Sequence, residues 1–143
     1  MKIKVMDDIL RANDAIAGEN RRRLDEHGIM AINLMSSPGA GKTTLIEKTL
    51  SLLGERCRVG VIEGDIETSR DAERLEGYGI QVIQLQTGSS CHLDANMVAQ
   101  ALDEIELKDI DLIIIENVGN LVCPAEFKMG EDHKVMILSV KFN

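Results

Sequence analysis

The chain has 143 residues, with 16 basic and 24 acidic side chains and a formal charge of −8. That length fits one domain, and the 44% of apolar residues suffices for a core, which must be aliphatic because aromatics are only 2% and Trp is absent. An acidic balance with so few aromatic rings argues against broad binding to nucleic acids or anionic membranes.

From the N-terminus, residues 5–26 read as a helix. Ile9, Ala12, Ile16 and Leu24 lie near helical spacing, while Asn13, Asn20 and three arginines dilute the stripe. Gly28 ends it. Residues 1–27 are thus expected to form an N-terminal helix ahead of a main domain over 28–143. The N-terminus has no signal-peptide core. Ile29–Met35, apolar apart from Asn33, predicts a buried strand. Ser36–Gly41 is a turn-rich loop. Thr43–Leu53 predicts a helix with Leu45, Ile46, Leu50 and Leu53 on one side and Gly54 as its stop.

The alternation then repeats. Val59–Glu63 reads as a strand, Thr68–Glu76 as a helix, and Ile80–Leu85 as a strand. Leu93–Ile105 reads as a helix behind a Ser89/Ser90 cap region. Leu112–Ile115 is the purest aliphatic run and is expected at the centre of the sheet. It is far shorter than a membrane span of about 20 residues. A Gly/Asn/Pro-rich loop covers 117–124, and Val135–Val140 is the last strand. Strands alternating with helices predict an α/β fold with a mostly parallel sheet, whose ligands bind at the carboxyl ends of the strands.

The loop Ser36-Ser37-Pro38-Gly39-Ala40-Gly41-Lys42-Thr43-Thr44 joins a strand to a helix, the context that a phosphate-binding Walker A loop requires. Its glycines let backbone N–H groups turn inward, and the helix N-terminus favours negative charge. Lys42 supplies a cation for the β- and γ-phosphates, and the Thr43 hydroxyl suits Mg²⁺. Ser36 departs from the consensus first Gly. Glu116, ending the aliphatic run, and Asp65, just past Glu63, are candidate carboxylates for the metal and for hydrolysis. A helix cap is the alternative for Asp65, and a solvated strand end for Glu116. Gly119 stands where a backbone N–H senses a γ-phosphate; a flexible turn is its alternative.

Three cysteines make no paired disulfide framework and fit a reducing cytosol, with thiols free or metal-bound. Cys91, His92 and Cys123 fall in loops at the expected functional edge. Two thiolates and an imidazole suit Zn²⁺ or Ni²⁺, with buried inert cysteines as the alternative. Cys57 reads as structural, and His27 and His133 as exposed histidines.

Four segments together resemble the HypB-type hydrogenase nickel-incorporation GTPases. They are Asn33–Thr44, which shares the Ser in place of the first Gly; Glu63–Thr68; Gln86–Asp94; and Glu116–Pro124. The resemblance runs from about residue 6 to residue 140. It implies a P-loop NTPase fold of three α/β/α layers and a cytoplasmic GTPase that assists nickel delivery to nickel–iron hydrogenase. By residue, it implies that Gly39 to Thr44 and Gly119 take the nucleotide. Thr43, Asp65 and Glu116 would serve Mg²⁺, and Cys91, His92 and Cys123 would bind Ni²⁺ or Zn²⁺. It further implies a nucleotide-linked homodimer with metal at the interface, and hydrogenase maturation proteins and the hydrogenase large subunit as partners.

Two departures stand out. Residues 1–27 hold no Cys-rich or His-rich nickel motif. The guanine-reading Asn-Lys-x-Asp motif is absent from the 143 residues, as expected of a family member cut short before its last strands and helices. A metal-binding module with little hydrolysis and an ATP-dependent enzyme therefore stay open as alternatives. A missing strand also predicts an open sheet edge with apolar surface.

Overall fold

The computed structural model describes residues 5–64, 70–88 and 90–140. The elements follow in the order α1 (Val5–Glu26), β1 (Met30–Ser36), α2 (Lys42–Leu53), β2 (Val59–Glu63), α3 (Arg70–Glu76), β3 (Gln81–Gln84), α4 (Ala95–Glu104), β4 (Leu112–Glu116), α5 (Cys123–Glu126) and β5 (His133–Ile137). One five-stranded sheet has the order β3-β2-β4-β1-β5, and every pairing is parallel. The aliphatic strand β4 is central, as its composition predicts. All strand ends that carry candidate chemistry therefore meet at one edge.

Strand alternation divides the core in two. Ile62, Ile113 and Ile115 face Leu24 of α1 and Val98, Ala101 and Leu102 of α4. Val59, Val61 and Ile114 face the other way, against Ile46 and Leu50 of α2 and Leu75 of α3. The result is a three-layer α/β/α sandwich. β5 is an outer strand, and Val135, Met136, Leu138 and Val140 at and beyond it are exposed.

The structure revises several expectations. The buried face of α1 is Asn13, Ala17, Asn20 and Leu24, while Ile9 and Ala12 are exposed. The stripe has helical spacing, but two of its members are amides, satisfied by backbone partners rather than by water. Leu45 of α2 is exposed, while Ile46 and Leu50 are buried against the sheet and Leu53 packs beside them. α4 starts at Ala95, capped by Asp94, whose side chain accepts from Met97 N. That bond makes Asp94 the cap in place of the Ser89/Ser90 region, of which Ser89 lies outside the described residues. The 117–124 loop ends in the short helix α5, and the last strand starts two residues and ends three residues earlier than expected.

Asp132 ties the start of β1 to α1. Its carboxylate accepts from Ala31 N and pairs with Arg21, both at 2.8 Å. Partial burial works to raise its pKa, but the Ala31 hydrogen bond and the Arg21 charge outweigh it and hold the group below the usual carboxylate range. A depressed folded-state pKa contributes stability above the unfolded value, lost as pH falls through the folded one. Asp132→Asn is therefore expected to lower stability at neutral pH by about 1 kcal/mol, after allowance for solvent screening. The deficit closes as the medium is acidified below roughly pH 4. Urea unfolding at several pH values measures both.

Candidate nucleotide and metal sites

The phosphate loop leaves β1 at Ser36 and enters α2 at Lys42. Gly39 and Gly41 have φ of 73° and 94°, a left-handed backbone that side chains resist. Gly41 caps α2 without a side-chain hydrogen bond, so the first turn presents its N–H groups to the loop's interior. Gly39 to Thr44, Asp71, Arg74 and Glu116 line an open cleft of about 280 Å³.

Lys42 is buried, and its Nζ donates to Ser36 Oγ at 3.0 Å. Ser36 Oγ in turn donates to Ser37 O at 2.8 Å. The residue that departs from the consensus glycine thus accepts a hydrogen bond from the buried lysine head. Thr43 Oγ1 donates to Glu116 Oε1 at 3.1 Å.

Carboxylate oxygens of Glu63, Asp71 and Glu116 all lie within 4.8 Å of one another. Glu63 and Glu116 are buried, and they are direct neighbours in the β2–β4 register. Hard oxygens gathered beside a phosphate cradle and a threonine hydroxyl are a donor set that fits Mg²⁺. Asp65 lies outside the described residues. Glu63 and Asp71 are not among the candidates that the sequence pattern singles out. Glu63 carried a usable signal: it ends a buried strand as Glu116 does. Asp71 reads only as an acid in the first turn of a short helix, and tertiary packing brings it in. Arg74, one turn further on, is engaged with Glu47 and Asp71.

Cys91, His92 and Cys123 come together, with Cys Sγ and His ring nitrogens within 4.8 Å of one another. Cys91 Sγ lies 3.6 Å from His92 Nδ1. Asn120 Oδ1 accepts from Val122 N and Cys123 N, shaping the turn that presents Cys123. The hydrogen bond with the Cys91 thiol is the main influence pushing the Cys123 thiol up; partial burial and the Glu126 charge add to it. Two thiols and an imidazole at this spacing fit a thiophilic divalent cation, which displaces the thiol protons when it binds. Cys57 stands apart, half-buried, with burial pushing its thiol up. His27 and His133 are exposed.

The two clusters share a framework. Asn117, next to Glu116, accepts at Oδ1 from Leu93 N (3.1 Å), the residue after His92. Its Nδ2 donates to Asn33 Oδ1, and Asn33 Nδ2 donates to Glu131, each at 3.0 Å. Gly119 lies against the phosphate loop: a Cβ there would come within 3.0 Å of Pro38 Cα.

The sequence matches the CobW/HypB/UreG nucleotide-binding domain over residues 30–141. The chain belongs to the CobW/HypB/UreG family. Within it, the similarity is to HypB hydrogenase maturation factors. The chain is 51% identical to the one from Azotobacter chroococcum mcd 1 over 138 residues, covering 96% of this chain and 45% of that protein. It is 48% identical to the one from Escherichia coli K12, again over 96% of this chain and over 48% of that protein. It thus spans about half the length of these curated relatives. The crystal structure of HypB from Archaeoglobus fulgidus superposes with a TM-score of 0.83 at 41% identity, covering 90% of this chain and 63% of that one. HypB from Helicobacter pylori in complex with nickel superposes with a TM-score of 0.82 at 40% identity, covering 87% and 59%.

In this HypB-like chain the loop after β2 also bears on the metal segment. A Cβ added at Gly64 would stand 2.6 Å from the fully buried Leu93 side chain. Gly64→Ala is therefore expected to cost about 1–3 kcal/mol by overpacking, read as a lowered urea midpoint.

Proposed function

We propose that the chain is a metal-regulated GTPase that assists nickel delivery into nickel–iron hydrogenase, with GTP hydrolysed to GDP and phosphate. The observation that carries this reading is the arrangement at one sheet edge: a phosphate loop and a Cys–His–Cys cluster, joined through the Asn117–Leu93 hydrogen bond. Similarity to hydrogenase maturation factors, and to a HypB crystallised with nickel, supports nickel as the cargo.

In this reading Gly39 to Thr44 wrap the phosphates with backbone N–H groups, and Lys42, released from Ser36, neutralises the β- and γ-phosphates. Mg²⁺, when bound, spreads the charge that develops on the phosphoryl oxygens. Thr43 and Glu116 would hold it, with Asp65 as a further carboxylate ligand and Glu63 and Asp71 close to Glu116. Water is the nucleophile, so the chain contributes positioning and electrostatics rather than covalent chemistry, and turnover is slow. The backbone N–H of Gly119 senses the γ-phosphate. Cys91, His92 and Cys123 take Ni²⁺ or Zn²⁺ in a three-ligand set whose fourth position is open to a second copy across a two-fold axis. Partners are hydrogenase maturation proteins and the hydrogenase large subunit, in the cytoplasm. Guanine preference rests on family membership and is tested by competition between GTP and ATP.

Because the two clusters share Asn117, nucleotide and metal should bias each other's affinity reciprocally. Titration with a fluorescent GTP analogue, with and without Ni²⁺, checks this; identical affinities would sink the coupling. Lys42→Ala is expected to weaken nucleotide binding by roughly 10–100-fold, the loss of one charge-assisted contact. Cys123→Ser should weaken Ni²⁺ by at least about 10-fold while sparing nucleotide. Nickel bound without any GTP turnover would replace the GTPase reading by a metal-binding module.

A further inference from the structure

Helix α1 is tied by its two buried asparagines to the two segments that carry the Cys–His–Cys cluster. Asn13 Oδ1 accepts from Ala95 N at 2.8 Å, and its Nδ2 donates to Lys128 O at 2.7 Å. Two turns on, Asn20 Nδ2 donates to Ala95 O and to Met129 O, both at 2.9 Å. Asn13 is 7% exposed and Asn20 is 1% exposed.

Both targets are close in sequence to candidate ligands. Ala95 lies three residues beyond His92. Lys128 and Met129 lie five and six residues beyond Cys123. The second segment then reaches back to the first. Phe127, adjacent to Lys128, stacks on the His92 ring with centroids 4.0 Å apart and planes 18° from parallel. Two contacts on α1 and one ring contact at the cluster thus brace the same pair of segments at both ends.

Burying an amide is costly unless its groups are bonded, and a helix that needed only to pack would carry Leu at these places. Apolar contact sets proximity, whereas these hydrogen bonds set register between two loops far apart in sequence. A metal-bound histidine needs its ring plane fixed, commonly through a bond to its second nitrogen. Here a ring face supplies the constraint.

We propose that Asn13, Asn20 and Phe127 are positioning residues of the metal site. α1 sets the separation of the 91–95 and 123–129 segments, and Phe127 sets the plane of the His92 imidazole. The inference rests on reading Cys91, His92 and Cys123 as the nickel ligands. A site braced before the cation arrives loses less conformational freedom on binding. Weakening the brace should lower affinity by the roughly 10–100-fold typical of groups that support metal ligands.

The test is a titration of the full chain with Ni²⁺ alone, in competition with a chromophoric chelator. The thiolate-to-nickel charge-transfer band is recorded alongside. Asn13→Ala and Phe127→Leu are expected to weaken Ni²⁺ about 10–100-fold and to shift that band, with GTP affinity held within about twofold. Asn13→Asp, which keeps the acceptor for Ala95 N and loses the donor to Lys128 O, should fall between Asn13→Ala and wild type. Folded variants that match wild type in Ni²⁺ affinity and band overturn the inference. If Asn13→Ala does not fold, Phe127→Leu decides alone by the same two readouts. Loss of binding in Cys123→Ser with none in the positioning variants overturns this inference and leaves the functional reading standing. Wild-type binding that survives Cys91→Ser and Cys123→Ser removes both.

Discussion

The side-chain amide of Asn117 ties together three segments at the carboxyl edge of the sheet. The central strand β4 delivers it there, fully buried, between β1 and β2. Its oxygen receives Leu93 N and its own neighbour Val118 N, and its nitrogen reaches Asn33 on β1. A buried amide with these groups matched has one favourable orientation, and each loop it touches inherits that orientation. The phosphate loop is brought into the same frame by the close approach of Gly119 to Pro38. Apolar packing builds the sandwich, but polar groups decide where its loops stand.

The same division explains what the sequence reveals by itself. The α/β alternation, the central place of Leu112–Ile115 and the phosphate loop are legible because each is local: a periodicity, an aliphatic run, a strand–loop–helix motif. The cluster of Cys91, His92 and Cys123 follows once the strands are taken as parallel, since both loops must then leave one edge. Asn13 and Asn20 are not legible. They look like flaws in an apolar stripe because their partners, Ala95, Lys128 and Met129, are remote in the chain. Ser36 looks like a defect in a motif until Lys42 is seen to donate to it. Asp71 reaches the acidic cluster through the packing of α3. At Asn13, Asn20, Ser36 and Asp71 the side chain is polar and its justification is tertiary.

Charge is concentrated in the partly buried corner beside the phosphate loop. Lys42 is set against Ser36, while Glu63, Asp71 and Glu116 converge a short distance away. A triphosphate would add further negative charge to this corner, so cation binding and nucleotide binding belong together there. The thiol cluster offers softer donors, of a kind that suits a different class of cation. The hard-oxygen cluster and the thiol–imidazole cluster thus stand apart and share no residue.

The position of β5 has a further meaning. It is an outer strand on which the neighbouring Val135 and Met136 are both exposed, while the phosphate loop, the acids and the thiols issue from strands further in or from the segments between them. Strands added along that flank would lengthen the sheet without cutting across the hydrogen-bonded frame around Asn117. The fold is modular in that sense: a hydrogen-bonded chemical centre on the inner strands, flanked by an outer strand that carries none of it.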